Sequence, residues 1–243
     1  VKILAWDIET APAVVHSFGL FNQNHGINQV VQNPYMMSFA AQWEGQKKVI
    51  FKSVHHDNKD EMLKELHSLL DEADAVISWN GKGFDSKWAN KEFLEAGMLP
   101  PSPYREIDLM LAARSRFRFL SNKLDFVAQL LGVGAKKVTG GHELWVGCMN
   151  GDPVAWAKMR SYNKKDVTLL WDIYAKLLPW IPNVGRALHD GLSGGCVNCS
   201  SQNLQKRGFH MTTIGRYQRY QCLDCGKWQR GKSNLLVTDM RPA

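Results

Sequence analysis

Four of the five cysteines fall into two Cys-x2-Cys pairs, Cys196 with Cys199 and Cys222 with Cys225, separated by 22 residues. That is the spacing of a structural zinc site. Each pair sits on a tight turn that brings two thiolates to ~2.3 Å from one tetrahedral Zn(II), and four thiolates leave no position open for chemistry. A disulfide framework is the competing reading, and it belongs to secreted chains. Val1 to Trp6 reads as a short strand, not as the charged, apolar and small-residue series of a signal peptide. Cys148 stands alone and reads as a packing residue.

The metal site implies a domain boundary. Before it come Leu178-Pro179-Trp180-Ile181-Pro182 and then Gly191-Leu192-Ser193-Gly194-Gly195, two prolines and a Gly/Ser cluster that end a helical pattern and read as a hinge. We place the boundary near residue 186, giving domains 1–185 and 186–243. The second piece is too short to bury an adequate core unaided, which is why a metal belongs there. The whole chain, 243 residues with 44% apolar and 22% charged, is that of a folded protein and excludes a disordered chain. No apolar run approaches the ~18 residues of a membrane span, so no membrane partner is expected and the cytoplasm is the expected compartment.

Charge divides at the same place. Residues 186–243 hold nine Lys/Arg against three Asp/Glu, whereas residues 1–185 hold 21 against 20. A basic excess confined to one terminal segment fits an anionic partner, most often nucleic acid; a solvated, solubilising tail is the alternative.

The larger domain alternates strand and helix signals. Lys2 to Ile8, Tyr35 to Trp43, Lys47 to Ser53 and Ala75 to Trp79 read as strands. Helices are predicted over Lys59–Leu70, Phe84–Ala96, Asp108–Phe117, Leu124–Leu131, Asp152–Met159 and Tyr162–Leu178. A strand meander followed by β–α alternation predicts an α/β fold, a mixed sheet flanked by helices.

Acids stand at the ends of these elements. Asp7 and Glu9 are two apart at the end of the first strand and project from one face. Asp85 follows a strand through the turn Asn80-Gly81-x-x-Phe84-Asp85, where a helix-capping role is the alternative. Tyr162 and Asp166 are one helical turn apart, which also suits an ordinary surface pair. Four carboxylates have the right character for two hard divalent cations, although composition cannot select these four over other acids.

The order Asp7-x-Glu9, Asn80-x3-Phe84-Asp85, Tyr162-x3-Asp166 resembles the three motifs of DnaQ-like, ribonuclease-H-like 3′→5′ exonucleases of the DEDD superfamily, with the tyrosine of the DEDDy branch. Ser161 stands where the alternative histidine signature would begin. The resemblance covers residues 1 to about 180. It implies a ribonuclease-H-like fold and a two-metal phosphodiester hydrolysis. Asp7, Glu9, Asp85 and Asp166 would bind two Mg(II) or Mn(II) ions, Asp7 bridging them, and Tyr162 would position the attacking water. The stretch from Ile107-Asp108-Leu109 to Ser121-Asn122-Lys123-Leu124-Asp125 resembles members from bacteriophages and prokaryotes.

Two basic segments suit nucleic acid. Arg114, Arg116, Arg118 and Lys123 interleave with Phe117 and Phe119, though the rings would equally serve a helix end packed on the core. The cysteine segment is similar to zinc ribbons of DNA-handling proteins, including insertion-sequence transposases. Arg216, Arg219, Lys227 and Trp228 are its candidate contacts. The resemblances together imply a 3′→5′ exonuclease with one structural Zn(II), DNA favoured over RNA, and a replication or recombination protein as a candidate partner. Two other readings are a non-catalytic binding or recruitment factor and a transposase-like strand transferase. The latter needs a Glu on the late helix, where this chain has Asp166.

Overall fold

The computed structural model describes residues 1–134, 141–181 and 194–236. The chain divides into two compact units, Lys2–Tyr174 and Ala175–Ala243 with Val1. The boundary expected near residue 186 lies outside the described residues.

In the larger unit the strands are β1 (Ile3–Thr10), β2 (Val14–Val15), β3 (Val30–Gln32), β4 (Met36–Trp43), β5 (Ile50–Ser53), β6 (Ala75–Ser78) and β7 (Arg105–Asp108). The helices are α1 (Lys59–Glu72), α2 (Asp85–Glu95), α3 (Leu109–Arg116), α4 (Leu124–Leu130), α5 (Glu143–Met149) and α6 (Pro153–Leu177). Five strands form one mixed sheet in the order β5-β4-β1-β6-β7. β4 runs antiparallel to β1 and β5, and β6 runs parallel to β1 and β7. This is the expected ribonuclease-H-like arrangement of a mixed sheet with helices packed on it.

β1 is the central strand, and its residues follow the period of two. Leu4, Trp6 and Ile8 face a core built with Met62, Leu63 and Leu66 of α1 and Phe93 of α2. The alternate residues Ile3, Ala5, Asp7 and Glu9 face the other way. Ile3 and Ala5 are buried, whereas Asp7 and Glu9 are half-buried at the strand's end. The same alternation that fills the core therefore delivers two carboxylates to one side.

Several elements differ from expectation, among them the short pair β2 and β3, which no strand pattern announces. Asp152–Met159 and Tyr162–Leu178 are parts of one helix, α6, because neither Gly nor Pro interrupts the stretch between them. β7 is an unexpected strand; it is four residues long and its pairing with β6 defines it. Its last residue, Asp108, also caps α3 by accepting from Leu111 N at 3.1 Å, so one residue ends a strand and starts a helix. α5 likewise gives no clear periodic signal over only seven residues.

The smaller unit holds an antiparallel sheet in the order β10-β9-β8, formed by β8 (Leu204–Thr212), β9 (Gly215–Cys222) and β10 (Trp228–Arg230). Cys222 closes β9, and Cys225 lies on the turn into β10.

Candidate active site and metal centres

Asp7, Glu9 and Asp166 bring carboxylate oxygens within 4.8 Å of one another. β1 supplies the first two and α6 the third. Asp166 is 1% exposed, so its charge is held away from water. Three like charges this close repel, and burial of a carboxylate is costly without neutralisation. The donor set fits a hard divalent cation. Ligands at ~2.1 Å in an octahedron put their oxygens ~3.0 to 4.2 Å apart, inside the observed spread.

Asn163 locks helix to strand at this point. It is fully buried, and its Nδ2 donates to Asp7 Oδ2 at 2.7 Å and to Asp7 O at 3.3 Å. Its Oδ1 accepts from Ser38 Oγ at 3.2 Å, and Ser38 is the cross-strand partner of Glu9 on β4. Trp145 of α5 donates from Nε1 to Glu9 Oε2 at 3.2 Å. Its ring meets that of Tyr162 edge-on, centroids 6.2 Å apart, so Tyr162 is brought to the Glu9 side of the cluster. Sequence reasoning misses both Asn163 and Trp145. Asn163 carries a signal, since it lies three residues before Asp166 and so on nearly the same helical face. Trp145 carries none.

Asp85 is the first residue of α2, 3% exposed, and does not cap that helix. Its Oδ1 accepts instead from Ile8 N at 3.1 Å, which places it between Asp7 and Glu9 along the chain of β1. It stands outside the group of three that share the 4.8 Å distance. The turn that presents it is tightly built. Asn80 takes φ +66°, and Asp108 accepts from Asn80 N at 3.1 Å and Lys82 N at 3.3 Å. A Cβ on Gly81 would lie 2.0 Å from Ser78 Oγ and 2.6 Å from Ser78 Cβ, so this position excludes a side chain.

Arg114 and Arg116 end α3, and both are exposed, as are Arg118 and Lys123. Phe117 and Phe119 are half-buried and stack on each other at 5.2 Å, neither deep in the core nor laid open.

In the smaller unit the four cysteines converge. Cys196 and Cys225 have sulfurs 3.6 Å apart, and Cys199 and Cys222 3.7 Å apart. A tetrahedron with ~2.3 Å Zn–S bonds has edges of ~3.8 Å, so the spacing fits a shared ion and is far from a disulfide's. Burial pushes the Cys199 thiol up to about 12, against the Ser201 N–H, and the neighbouring thiols add to the rise. Burial also acts to raise Cys222, but the N–H groups of Cys225 and Asp224 and the thiols of Cys199 and Cys225 outweigh it and bring it to about 7. Four thiolates this close would repel one another, and a shared cation would neutralise them. The cluster fits a zinc ribbon.

Of the candidate contacts in this unit, Arg216 and Arg219 are exposed and Trp228 is 44% exposed. Lys227 is a correction. It is buried, and its Nζ donates to Ile181 O at 2.6 Å and Leu178 O at 3.4 Å. These carbonyls follow the end of α6, where helical partners run out. Its charge serves the chain's own backbone and not a surface.

Similarity to known proteins agrees with this geometry. A model of the RNase H superfamily matches residues 24–178, more than half of the chain. The chain belongs to the RNase H superfamily. The matched stretch contains Asp85, Tyr162 and Asp166 and begins after β1, which carries Asp7 and Glu9. No curated protein sequence matches the chain. Among solved structures, the family B DNA polymerase of the hyperthermophilic archaeon Pyrobaculum calidifontis is similar, with TM-score 0.55 and 16% identity over 74% of this chain. The chain spans about a quarter of that polymerase, 25% of its length, and the likeness at this identity concerns the fold alone. Membership of the RNase H superfamily supports a nuclease-type function, with divalent metals as cofactors and nucleic acid as partner. Among the described residues no helix is long and apolar enough to cross a membrane.

Proposed function

We propose that this protein is a metal-dependent 3′→5′ exonuclease that hydrolyses nucleic-acid phosphodiester bonds by a two-metal mechanism, with DNA as the favoured substrate. The observation that carries this reading is the convergence of Asp7, Glu9 and Asp166 within 4.8 Å where α6 crosses the end of β1. The polarity follows from the motif resemblance, in which the tyrosine precedes the last acid by one turn. The DNA preference follows from the resemblance of the cysteine segment to zinc ribbons of DNA-handling proteins.

Asp7, Glu9, Asp85 and Asp166 would hold two Mg(II) or Mn(II) ions. Such ions activate a water and stabilise the leaving oxygen. The chain's own residues do the positioning. Asn163 fixes the Asp7 carboxylate through its Oδ2. Trp145 sets Glu9 and limits where Tyr162 can swing. The Tyr162 hydroxyl would hold the attacking water by a hydrogen bond, which supplies orientation without binding metal. The cysteine cluster would hold one structural Zn(II).

Digestion of end-labelled single- and double-stranded DNA and RNA, with either end blocked, in Mg(II) or Mn(II) tests the reading. Release of mononucleotides from free 3′ ends alone is expected. Binding without cleavage would favour a recruitment factor, and loss from 5′ ends would overturn the polarity.

A further inference from the structure

One face of the ribbon sheet carries an arrangement that the nuclease site does not use. Cross-strand partners share a face, and residues two apart on a strand share it too. On β9 this groups Tyr217 with Arg219. On β10 it adds Trp228, paired with Gln221, and Arg230, paired with Arg219. β8 contributes Arg207, which lies two residues after Gln205, the partner of Gln221, and so shares this face. A bulge between Lys206 and Phe209, with Gly208 at φ +63°, shifts the later residues of β8 by one and brings His210 opposite Tyr217.

The result is alternation of cation and ring. The Arg219 guanidinium lies 4.9 Å and that of Arg207 5.8 Å from the Trp228 ring centre, and Arg230 lies 4.0 Å from that of Tyr217. Arg219 Nε donates to Arg207 O at 2.9 Å, so the two arginines are held side by side. All three arginines are exposed, and Trp228 remains 44% exposed. The charge is unopposed on the sheet, since none of its three strands contains Asp or Glu. The nearby Asp224 is engaged by Ser201 Oγ at 2.5 Å and Asn203 Nδ2 at 2.8 Å. The opposite face differs. There Arg216 lies over Phe209, and Lys206 pairs with Tyr220.

We propose that the Arg207–Arg219–Arg230 face, with Trp228 and Tyr217, binds single-stranded nucleic acid. A polyanion is the complement of three ordered guanidiniums on a sheet whose strands carry no acid. The rings discriminate among polyanions, because unpaired bases stack on aromatic and guanidinium planes whereas duplex bases are already stacked. Pre-stacked arginines also lose less freedom when they meet phosphates. The proposal deepens the nuclease reading by naming the ribbon's ligand. It rests on that reading only for the choice of nucleic acid as the polyanion.

The test measures binding of a labelled oligothymidylate, and of a duplex of equal length, to the full zinc-loaded chain across a salt series. An Asp7→Asn background prevents digestion. Arg219→Gln with Arg230→Gln should weaken single-strand binding about tenfold or more and reduce the slope of log K against log salt by ~1.4, at ~0.7 per phosphate contact. Trp228→Leu should weaken binding about tenfold with the slope unchanged, the mark of stacking. Lys206→Gln removes charge from the other face and should change affinity less than about twofold. Zinc content, measured on each variant, shows that the ribbon is intact. Equal loss from both faces, no loss from either, or tighter binding of the duplex would each overturn the proposal. Cleavage by the unsubstituted chain separates the two readings. If it cleaves but the ladder substitutions leave binding unchanged, this proposal alone fails; if it cleaves nothing while the ladder governs binding, the nuclease reading alone fails.

Discussion

At the scale of single residues, the acids and their holders are separable by substitution. Asp7→Asn and Asp166→Asn each remove a metal-binding charge while keeping shape. Each should cost ~4 kcal/mol or more of transition-state stabilisation, about a thousandfold in rate, with an unchanged circular dichroism spectrum. Wild-type turnover by either variant at saturating metal would refute the assignment. Tyr162→Phe keeps every carboxylate and should lose less, roughly ten- to a hundredfold, as expected for one orienting hydrogen bond. A rate equal to wild type would make Tyr162 a packing residue beside Trp145. Asn163→Ala removes the 2.7 Å bond to Asp7 and leaves Ser38 without its amide partner. We expect the Mg(II) concentration for half-maximal activity to rise, with partial rescue of the rate at high Mg(II). Titration of activity against metal would show this, and an unchanged metal requirement would limit Asn163 to holding α6 on the sheet.

Among elements, the turn between β6 and α2 has the least room for change. Asp85 reaches Ile8 N only because Asn80 adopts a left-handed conformation and Gly81 carries no side chain. In Gly81→Ala the new Cβ would press on the Ser78 Cβ, which a rotamer change cannot move out of a buried strand. Overpacking of this kind costs about 1–3 kcal/mol. Gly81→Ala should therefore unfold earlier in urea and lose activity together, as Asp85 is displaced. Full activity in a destabilised protein would show that Asp85 acts without this placement. α6 serves the site differently: an unbroken helix keeps Tyr162, Asn163 and Asp166 in fixed phase, so Asn163 and Asp166 meet the acids of β1 while Tyr162 meets Trp145.

For the whole molecule, the predicted division of labour assigns chemistry to one part and affinity to the other. All four acids and Tyr162 precede residue 185, while the basic excess follows it. Truncation after residue 185 should raise the substrate concentration for half-maximal rate and flatten its salt dependence, with a smaller effect on the rate at saturation. Removing the ribbon's metal should act like truncation, because four thiols without an ion cannot hold so small a unit together. Affinity and salt slope measured on the full and shortened chains check both statements. Equal values would make the ribbon a docking or structural module.

What is legible in the sequence is what local spacing controls. Two residues along a strand return to the same face, so strand periodicity alone pairs Asp7 with Glu9. Four residues along a helix do the same for Tyr162 and Asp166, and the Cys-x2-Cys spacing defines two metal-binding turns. Family resemblance then joins these pieces into one site, which their separate spacings cannot do. Contacts between distant segments are beyond the reach of local spacing, because their partners lie up to 156 residues apart, as Asn163 and Asp7 do. Tertiary structure alone brings Trp145 onto Glu9, makes β7 a strand by giving it a neighbour, and turns Lys227 inward onto carbonyls at a helix end. It also decides which residues of β8 beyond Gly208 share a face with the arginines, His210 and not Phe209. A single bulge at Arg207 and Gly208 shifts that register by one residue, and in a sheet one residue is the difference between opposite sides.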